Sequence, residues 1–316
     1  MSSHTHPAER GYDHIALYYA NDDELLDASV PFLTEGVDRD EATMIALDGH
    51  RADLVLAELP HPERVTILRT DAQYIRPAVA IKSYCDMFAN LVEGGASAIR
   101  VVGEIPYSAL TRDWDVWSRY EAAVNYAYDH FPVRSMCAYD TRTTPTAVLR
   151  DVAQTHSLVA AGGVQKPNPD YVEPPSFLGR PAPLVPHPLQ RRPPTVELTD
   201  PTPGEARHVV SAACAGALPS GDLGDLVVSV SEIITNAIRH GSPPATLCLW
   251  AGARQVVVAI HDRGPGPADP FAGLVATPGP EGGGYGLWIA HQLCHHVTMT
   301  RTDTGFTVRL TMGHHS

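Results

Sequence analysis

Between Lys166 and Pro194 ten prolines fall in under thirty residues, with Gly179, Arg180, Arg191 and Arg192 among them. Proline has no backbone N–H and a fixed φ, so regular structure is improbable through such a stretch. The folded parts of the chain must lie on either side. A polyproline-like tether is semi-rigid and extended, able to hold two domains at a set distance or to lie across a domain surface. With 316 residues in all, two domains of ordinary size fit the length. The boundaries read from the sequence are 11–165, a linker over 166–194, and 195–313.

The second domain contains Val230-Ser-Glu-Ile-Ile-Thr-Asn-Ala-Ile-Arg-His240, a helical pattern with a carboxylate, an amide and an imidazole four residues apart. Residues at that spacing share one face, so Glu232, Asn236 and His240 form a polar stripe. Val230, Ile233, Ile234, Ala237 and Ile238 form the apolar side expected to seat the helix against a sheet. An Asn carbonyl can complete a magnesium site that is otherwise made of waters and substrate phosphates. An acid one turn earlier can take a proton from an attacking hydroxyl. The same stripe is also compatible with a plain solvated face.

Two stretches further on bear on that choice. Val256-Val-Val-Ala-Ile-His-Asp262 predicts a buried strand that breaks into Arg263-Gly-Pro-Gly266, which places Asp262 at a glycine turn. A carboxylate there can accept a hydrogen bond from an exocyclic amine such as that of adenine, and Gly264 and Gly266 let backbone approach a ligand. Gly282-Gly-Gly-Tyr-Gly286 then precedes a helical pattern from Leu287 to Leu293, a glycine-rich entry able to present amides to phosphate. In this order, Glu232-x-x-x-Asn236-Ala-x-x-His240, Asp262-x-Gly264-x-Gly266 and Gly282-Gly-Gly-Tyr-Gly-Leu287 resemble the N, G1 and G2 boxes of the GHKL ATP-binding superfamily. The wording around Glu232 is most similar to the bacterial anti-sigma serine kinases of the RsbW kind.

That resemblance implies a Bergerat-type α+β ATP sandwich over about 195–312, with ATP and magnesium as cofactors. It implies Asn236 on the metal, Glu232 as base, Asp262 on adenine, and His240, Gly264, Gly266, Gly282, Gly283, Gly284, Gly286 and Leu287 around the nucleotide. The partners it implies are an anti-anti-sigma (STAS) protein, a sigma factor, or both. The pattern itself predicts a strand over 195–198, helices over 204–218 and 223–240, and strands over 246–250, 255–261, 297–301 and 306–312, arranged as a mixed, mostly antiparallel sheet with helices on one face. The pair His291 and His295 has helical metal spacing but neither an acidic partner nor a zinc motif, so it is not read as a site.

The first domain alternates β-rich runs at 14–19, 43–47, 65–68, 98–102 and 135–139 with helical patterns at 22–35, 51–58, 76–92, 115–130 and 144–155, with Leu158-Val-Ala-Ala161 as a further strand. Such alternation predicts a doubly wound α/β sheet with any ligand near the carboxyl ends of the strands. No Gly-x-x-x-x-Gly-Lys-Ser/Thr loop occurs, which favours a binding module over a nucleotide hydrolase. Asp13-His14, Val101-Val-Gly-Glu-Ile-Pro-Tyr107, Arg119-Tyr-Glu-Ala-Ala-Val-Asn125 and Cys137-Ala-Tyr-Asp140 resemble the MEDS (DcmR-type) sensory domain. This resemblance implies a small-molecule sensor distantly related to the RecA and KaiC fold without its ATP site. His14 and Cys137 would meet if their strands are neighbours, as a metal or haem pair or as an ordinary core histidine and thiol. Glu104, at a strand end, is a pocket candidate, with a helix cap or salt bridge as its other reading. Trp114, Trp117, Tyr120, Tyr126 and Tyr128 are read chiefly as helix packing.

A net charge of −13 argues against a direct nucleic-acid surface. Five scattered cysteines form neither a disulfide framework nor a zinc knuckle, and no apolar run reaches the length of a membrane span, which together predict a soluble cytoplasmic chain. A homodimer is compatible with these features. Three functions compete: a sensor-controlled anti-sigma serine kinase, a nucleotide-dependent binding module with little catalysis, and a sensor histidine kinase. The lid from Pro265 to Gly282 has few basic residues, which favours the second over the first. The proline-rich linker is unsuited to the paired helices that the third requires.

Overall fold

The computed structural model describes residues 11–69, 76–161, 163–180, 185–276 and 284–313. The chain divides into two compact units at Leu178 and Gly179.

The first unit is built on a seven-stranded sheet. Its strands are β1 (Gly11–Tyr19), β2 (Ala42–Ala46), β3 (Thr66–Ile67), β4 (Ile99–Gly103), β5 (Pro132–Asp140), β6 (Leu158–Ala161) and β7 (Val164–Pro167). They lie in the order β3-β2-β4-β5-β1-β6-β7, parallel throughout except for the final β6/β7 hairpin. Helices at Asp22–Asp38, Gly49–Ala57, Pro77–Glu93, Trp114–Ala127 and Thr146–Thr155 make the crossovers that parallel strands require. The expected α/β alternation is therefore present. A short helix at Tyr107–Arg112 lies where the sequence pattern predicts none.

Side chains alternate across a strand, and here the two faces differ in chemistry. Ile15, Leu17, Tyr19, Ile45, Val102, Met136 and Ala138 face the helix Asp22–Asp38 in one aliphatic core with its Leu25, Phe32 and Leu33. The intervening positions supply Tyr12, His14, Val101, Gly103, Ser135 and Cys137, which line a cavity with residues of the helices Pro77–Glu93 and Trp114–Ala127.

Arg100 is fully buried on β4. Its guanidinium donates to Glu41 (Nε to Oε2, 2.7 Å), to Glu35 (Nη1 to Oε2, 2.8 Å) and to the Phe32 carbonyl (2.9 Å). Burial opposes the charge, and the two carboxylates more than offset it, raising the pKa.

The proline-rich stretch is not without regular structure, contrary to expectation. β7 ends at Pro167, a helix runs over Pro174–Leu178 with Phe177 and Leu178 buried, and a 3-10 turn occupies Pro188–Arg191. Proline is tolerated in each because it sits in an edge strand or the first turn of a helix.

The second unit has a five-stranded sheet in the order β11-β12-β10-β9-β8. The strands are β8 (Val196–Thr199), β9 (Thr246–Ala251), β10 (Gln255–Asp262), β11 (His296–Thr302) and β12 (Gly305–Gly313). Every pairing is antiparallel, so the expected mixed sheet is wholly antiparallel among the described residues. The helices Pro203–Ala213, Ser220–His240 and Gly286–Leu293 share one core with it, through Ala206, Val210, Leu226, Ile233, Ile234 and Ala290 against Leu247, Val256, Val258 and Leu310. The first of these helices stops at Ala213, not at 218. Among the described residues, no helix is long and apolar enough to cross a membrane.

Removing a buried partner of an ion pair strands the remaining charges, at a cost of about 3–5 kcal/mol. Arg100→Ala is therefore expected to lower unfolding stability by about that amount in urea titrations of the full chain, and an unchanged midpoint would show that Arg100 does not hold the first sheet to its helix.

Candidate functional site

The helix Ser220–His240 buries Leu226, Val230, Ile233, Ile234 and Ala237, so the apolar face sits in the core as its pattern requires. Ile238 does not join them. It is 57% exposed, and its neighbours Arg239 and His240 in the last turn of the helix are exposed too. Glu232 and Asn236 are half-buried on the opposite side, and His240 is exposed at the helix end.

What half-buries Glu232 and Asn236 is the next helix. A Cβ built on Gly286, the first residue of Gly286–Leu293, would lie 2.7 Å from Asn236 Nδ2 and 3.2 Å from Glu232 Oε2. With glycine there, the N-terminus of that helix comes this close to the acid and the amide without displacing the Asn236 side chain. The free amides of a helix start favour anions, and they are brought here beside a carboxylate and an amide suited to magnesium. The cradle thus fits a metal-bound phosphate chain.

Asp262 ends β10 as predicted and is buried. Its Oδ1 accepts from the Ser242 N–H at 3.1 Å and from the Gly264 N–H at 2.6 Å. These bonds fix the carboxylate at the end of the helix that bears Asn236, because Gly241 and Ser242 directly follow His240. A Cβ at Gly241 would fall 2.5 Å from Asp262 Cγ, and one at Gly264 2.9 Å from Gly241 Cα. Gly266 has φ +71° and lies against the Phe306 ring. The N-box and G1 residues therefore meet in space. Gly284 is exposed with φ +104°, and Leu287 is partly buried against the core. Gly282 and Gly283 lie outside the described residues. The start of the expected lid is anchored by Phe271 and Leu274, both buried.

In the first unit, the order β3-β2-β4-β5 sends the chain from β2 one way and from β4 the other, so a crevice opens at their carboxyl ends. Glu104 stands there and lines the cavity, but it is also engaged. It accepts from the Asp48 N–H at 2.6 Å and faces Arg51 Nη1 at 3.2 Å. Burial raises its pKa, offset in part by the Asp48 amide and Arg51. Both readings of Glu104 thus describe it.

His14 and Cys137 meet. β1 pairs with β5 so that His14 stands beside Ser135, and Cys137 Sγ comes 3.5 Å from His14 Nε2. Burial, together with the nearby Glu121, pushes the thiol well above its ordinary pKa. Tyr120 and Tyr128 wall the cavity, Trp117 packs, and Tyr126 is 53% exposed. The free space is about 30 Å³, room for a water or an ion and far too little for haem.

Two residues of this site were not among the sequence candidates. Glu121 is 1% exposed and its Oε2 lies 3.2 Å from His14 Nε2; His156 is wholly buried with its ring stacked 3.7 Å from that of His14. The available signal was an acid on the apolar stripe of the helix Trp114–Ala127, between Trp117 and Val124.

Comparison with known families gives two matches. Residues 13–157 match the MEthanogen/methylotroph, DcmR Sensory domain (MEDS), and residues 198–312 match the Histidine kinase-like ATPase domain. The transcriptional repressor DcmR of Methylorubrum extorquens is 29% identical over 157 residues, 46% of this chain and 58% of the repressor. The chain thus covers little more than half the length of that relative. Among solved structures, the RsbU and RsbW domains of a Mycobacterium tuberculosis protein match at 23% identity over 39% of this chain and 33% of that one, with a TM-score of 0.27. A blue-light activated histidine kinase of Erythrobacter litoralis matches at 22% identity over 36% and 42%, with a TM-score of 0.25. The ATPase family implies nucleotide binding in the second unit.

A methyl group at Gly286 has no space unless Asn236 moves. Gly286→Ala is expected to weaken nucleotide binding at least about tenfold, about 1.4 kcal/mol, in calorimetric titration. Unaltered affinity would place the nucleotide elsewhere.

Proposed function

We propose that this chain, which carries a MEDS sensory domain followed by a histidine kinase-like ATPase domain, is a signalling regulator whose second domain binds magnesium ATP and acts on a protein partner. The partner we propose is an anti-anti-sigma protein of the STAS kind, phosphorylated on serine, with sequestration of a sigma factor as the output. The observation that carries this reading is the approach of Gly286 to Glu232 and Asn236, which gathers a base, a metal ligand and a helix N-terminus.

In this mechanism Asn236 would hold magnesium through its side-chain carbonyl, and the amides at Gly286 would be available to the phosphates. Glu232 takes the proton from the serine hydroxyl as its oxygen attacks the γ-phosphorus, and ADP leaves with the electrons of the broken bond. Asp262, with Oδ1 held by two backbone amides, would offer its other oxygen to the adenine amine. The Bergerat and RecA-like names for the two domains belong to the same proposal, as do control by a ligand on the first domain and a homodimeric state.

One observation favours a second reading. From Gly264 to Thr300 the sequence contains no Lys or Arg, so no cation of the lid is available to stabilise a migrating phosphoryl group. A domain that binds ATP only to shape a partner surface would show the same site.

The two are separated by incubating the full chain with magnesium ATP and a STAS protein and weighing the product by mass spectrometry. Transfer to serine is expected, and Glu232→Ala is expected to abolish it, by at least about 100-fold for the loss of a general base, while nucleotide still binds. ATP binding with no phosphate on any serine in the wild type would select the second reading.

A further inference from the structure

The His14 cluster is independent of the nucleotide site and has its own chemistry. One donor atom each from His14, Glu121, Cys137 and His156 lie within 4.8 Å of one another. His14 Nε2 is 3.2 Å from Glu121 Oε2, His156 Nε2 is 3.4 Å from the same oxygen, and Cys137 Sγ is 3.5 Å from His14 Nε2. Three of the four residues also line the cavity.

The imidazoles are oriented from behind. His156 Nδ1 lies 2.9 Å from the Val152 carbonyl oxygen, and His14 Nδ1 lies 3.2 Å from both the Thr155 carbonyl and Asn125 Oδ1. Asn125 Nδ2 is itself spent on backbone carbonyls, which leaves Oδ1 toward the ring. A ring nitrogen that faces carbonyl oxygens carries the hydrogen, so in each neutral imidazole Nε2 is a bare lone pair directed at Glu121.

The result is acceptors facing acceptors without solvent. Glu121 Oε2 and His156 Nε2 are both buried, and neither makes a hydrogen bond. Unpartnered buried polar atoms are costly and uncommon, and a cation among them removes the cost. Carbonyls that fix the outer nitrogen of each imidazole are the usual support of metal-bound histidines.

We propose that His14, Glu121, Cys137 and His156 bind one divalent first-row transition metal ion, of the zinc, cobalt or iron(II) class. Imidazole and thiolate donors select against magnesium and calcium, which take oxygen ligands. On binding, Cys137 releases its thiol proton to solvent. The dication, one thiolate, one carboxylate and two neutral imidazoles then sum to zero charge, which suits a buried site.

The test uses the full chain stripped of metal by a chelator and titrated with cobalt(II). One equivalent is expected to bind, with ligand-field bands of a low-coordinate ion and a near-ultraviolet sulfur-to-metal charge-transfer band, and zinc is expected to displace it. The thiolate band separates this site from exposed histidines such as His240. Cys137→Ser is expected to lose that band and at least about tenfold in affinity, with circular dichroism confirming that it is folded. Glu121→Gln is expected to weaken binding with the thiolate band still present at saturation. A wild-type chain that gives no charge-transfer band, or a band that persists in Cys137→Ser, would overturn the site. Neither result bears on whether the second domain binds ATP.

Discussion

The second domain depends on a contact that has no room for a side chain. Gly286 starts a helix against Asn236 and Glu232, so the polar stripe of one helix and the amide-rich start of another close on the same space. The core beneath makes this possible. Ile233 and Ile234 on the first helix and Ala290 on the second sit in one apolar cluster with Leu247, Val256, Val258 and Leu310 of the sheet. Burial of that cluster sets the height of both helices, and the glycine lets them touch. Asp262 belongs to the same arrangement, since its carboxylate ties the turn after β10 to the turn after the Asn236 helix. The three sequence boxes are thus three sides of one space.

The first domain solves a different problem. Parallel strands covered on both faces normally read as continuous apolar runs, yet β1 and β5 carry Tyr12, His14, Ser135 and Cys137 on one face. Their polar atoms must find partners inside. Tyr12 does so through Ser135 at 2.6 Å, and His14 through Asn125 and the Thr155 carbonyl. The other face holds the fully buried Arg100 with two carboxylates and a carbonyl. The atoms Glu121 Oε2 and His156 Nε2 make no hydrogen bond, and both lie beside the ring of His14.

Much of this was legible in the sequence, for identifiable reasons. Glu232 and Asn236 are linked by helical spacing alone, so their common face follows from the chain. Asp262 was legible because a strand and a glycine turn meet at it. Ile238 breaks the pattern because periodicity gives a face but not the turn at which burial along that face ends. The short elements of the proline-rich stretch were missed because a local rule about proline does not see that Phe177 and Leu178 have a core to join. The four-residue cluster required sheet register. His14 and Cys137 are 123 residues apart, and only the pairing of β1 with β5 shows that they touch. Glu121 and His156 come from a helix and a strand entry that no spacing connects.

For a ligand on the first domain to influence anything beyond it, its binding must favour one arrangement of an element that reaches the domain's end. The helix Trp114–Ala127 is an element that reaches that end. It presents Glu121 to the histidines, and two residues earlier Arg119 donates through Nη1 to the Leu178 carbonyl at 3.2 Å, at the last residue of the first unit. The same helix packs against Pro174–Leu178, the helix within the proline-rich stretch. Glu121 and Arg119 share one rigid element, so a shift that re-aims the carboxylate also moves the anchor of the departing chain.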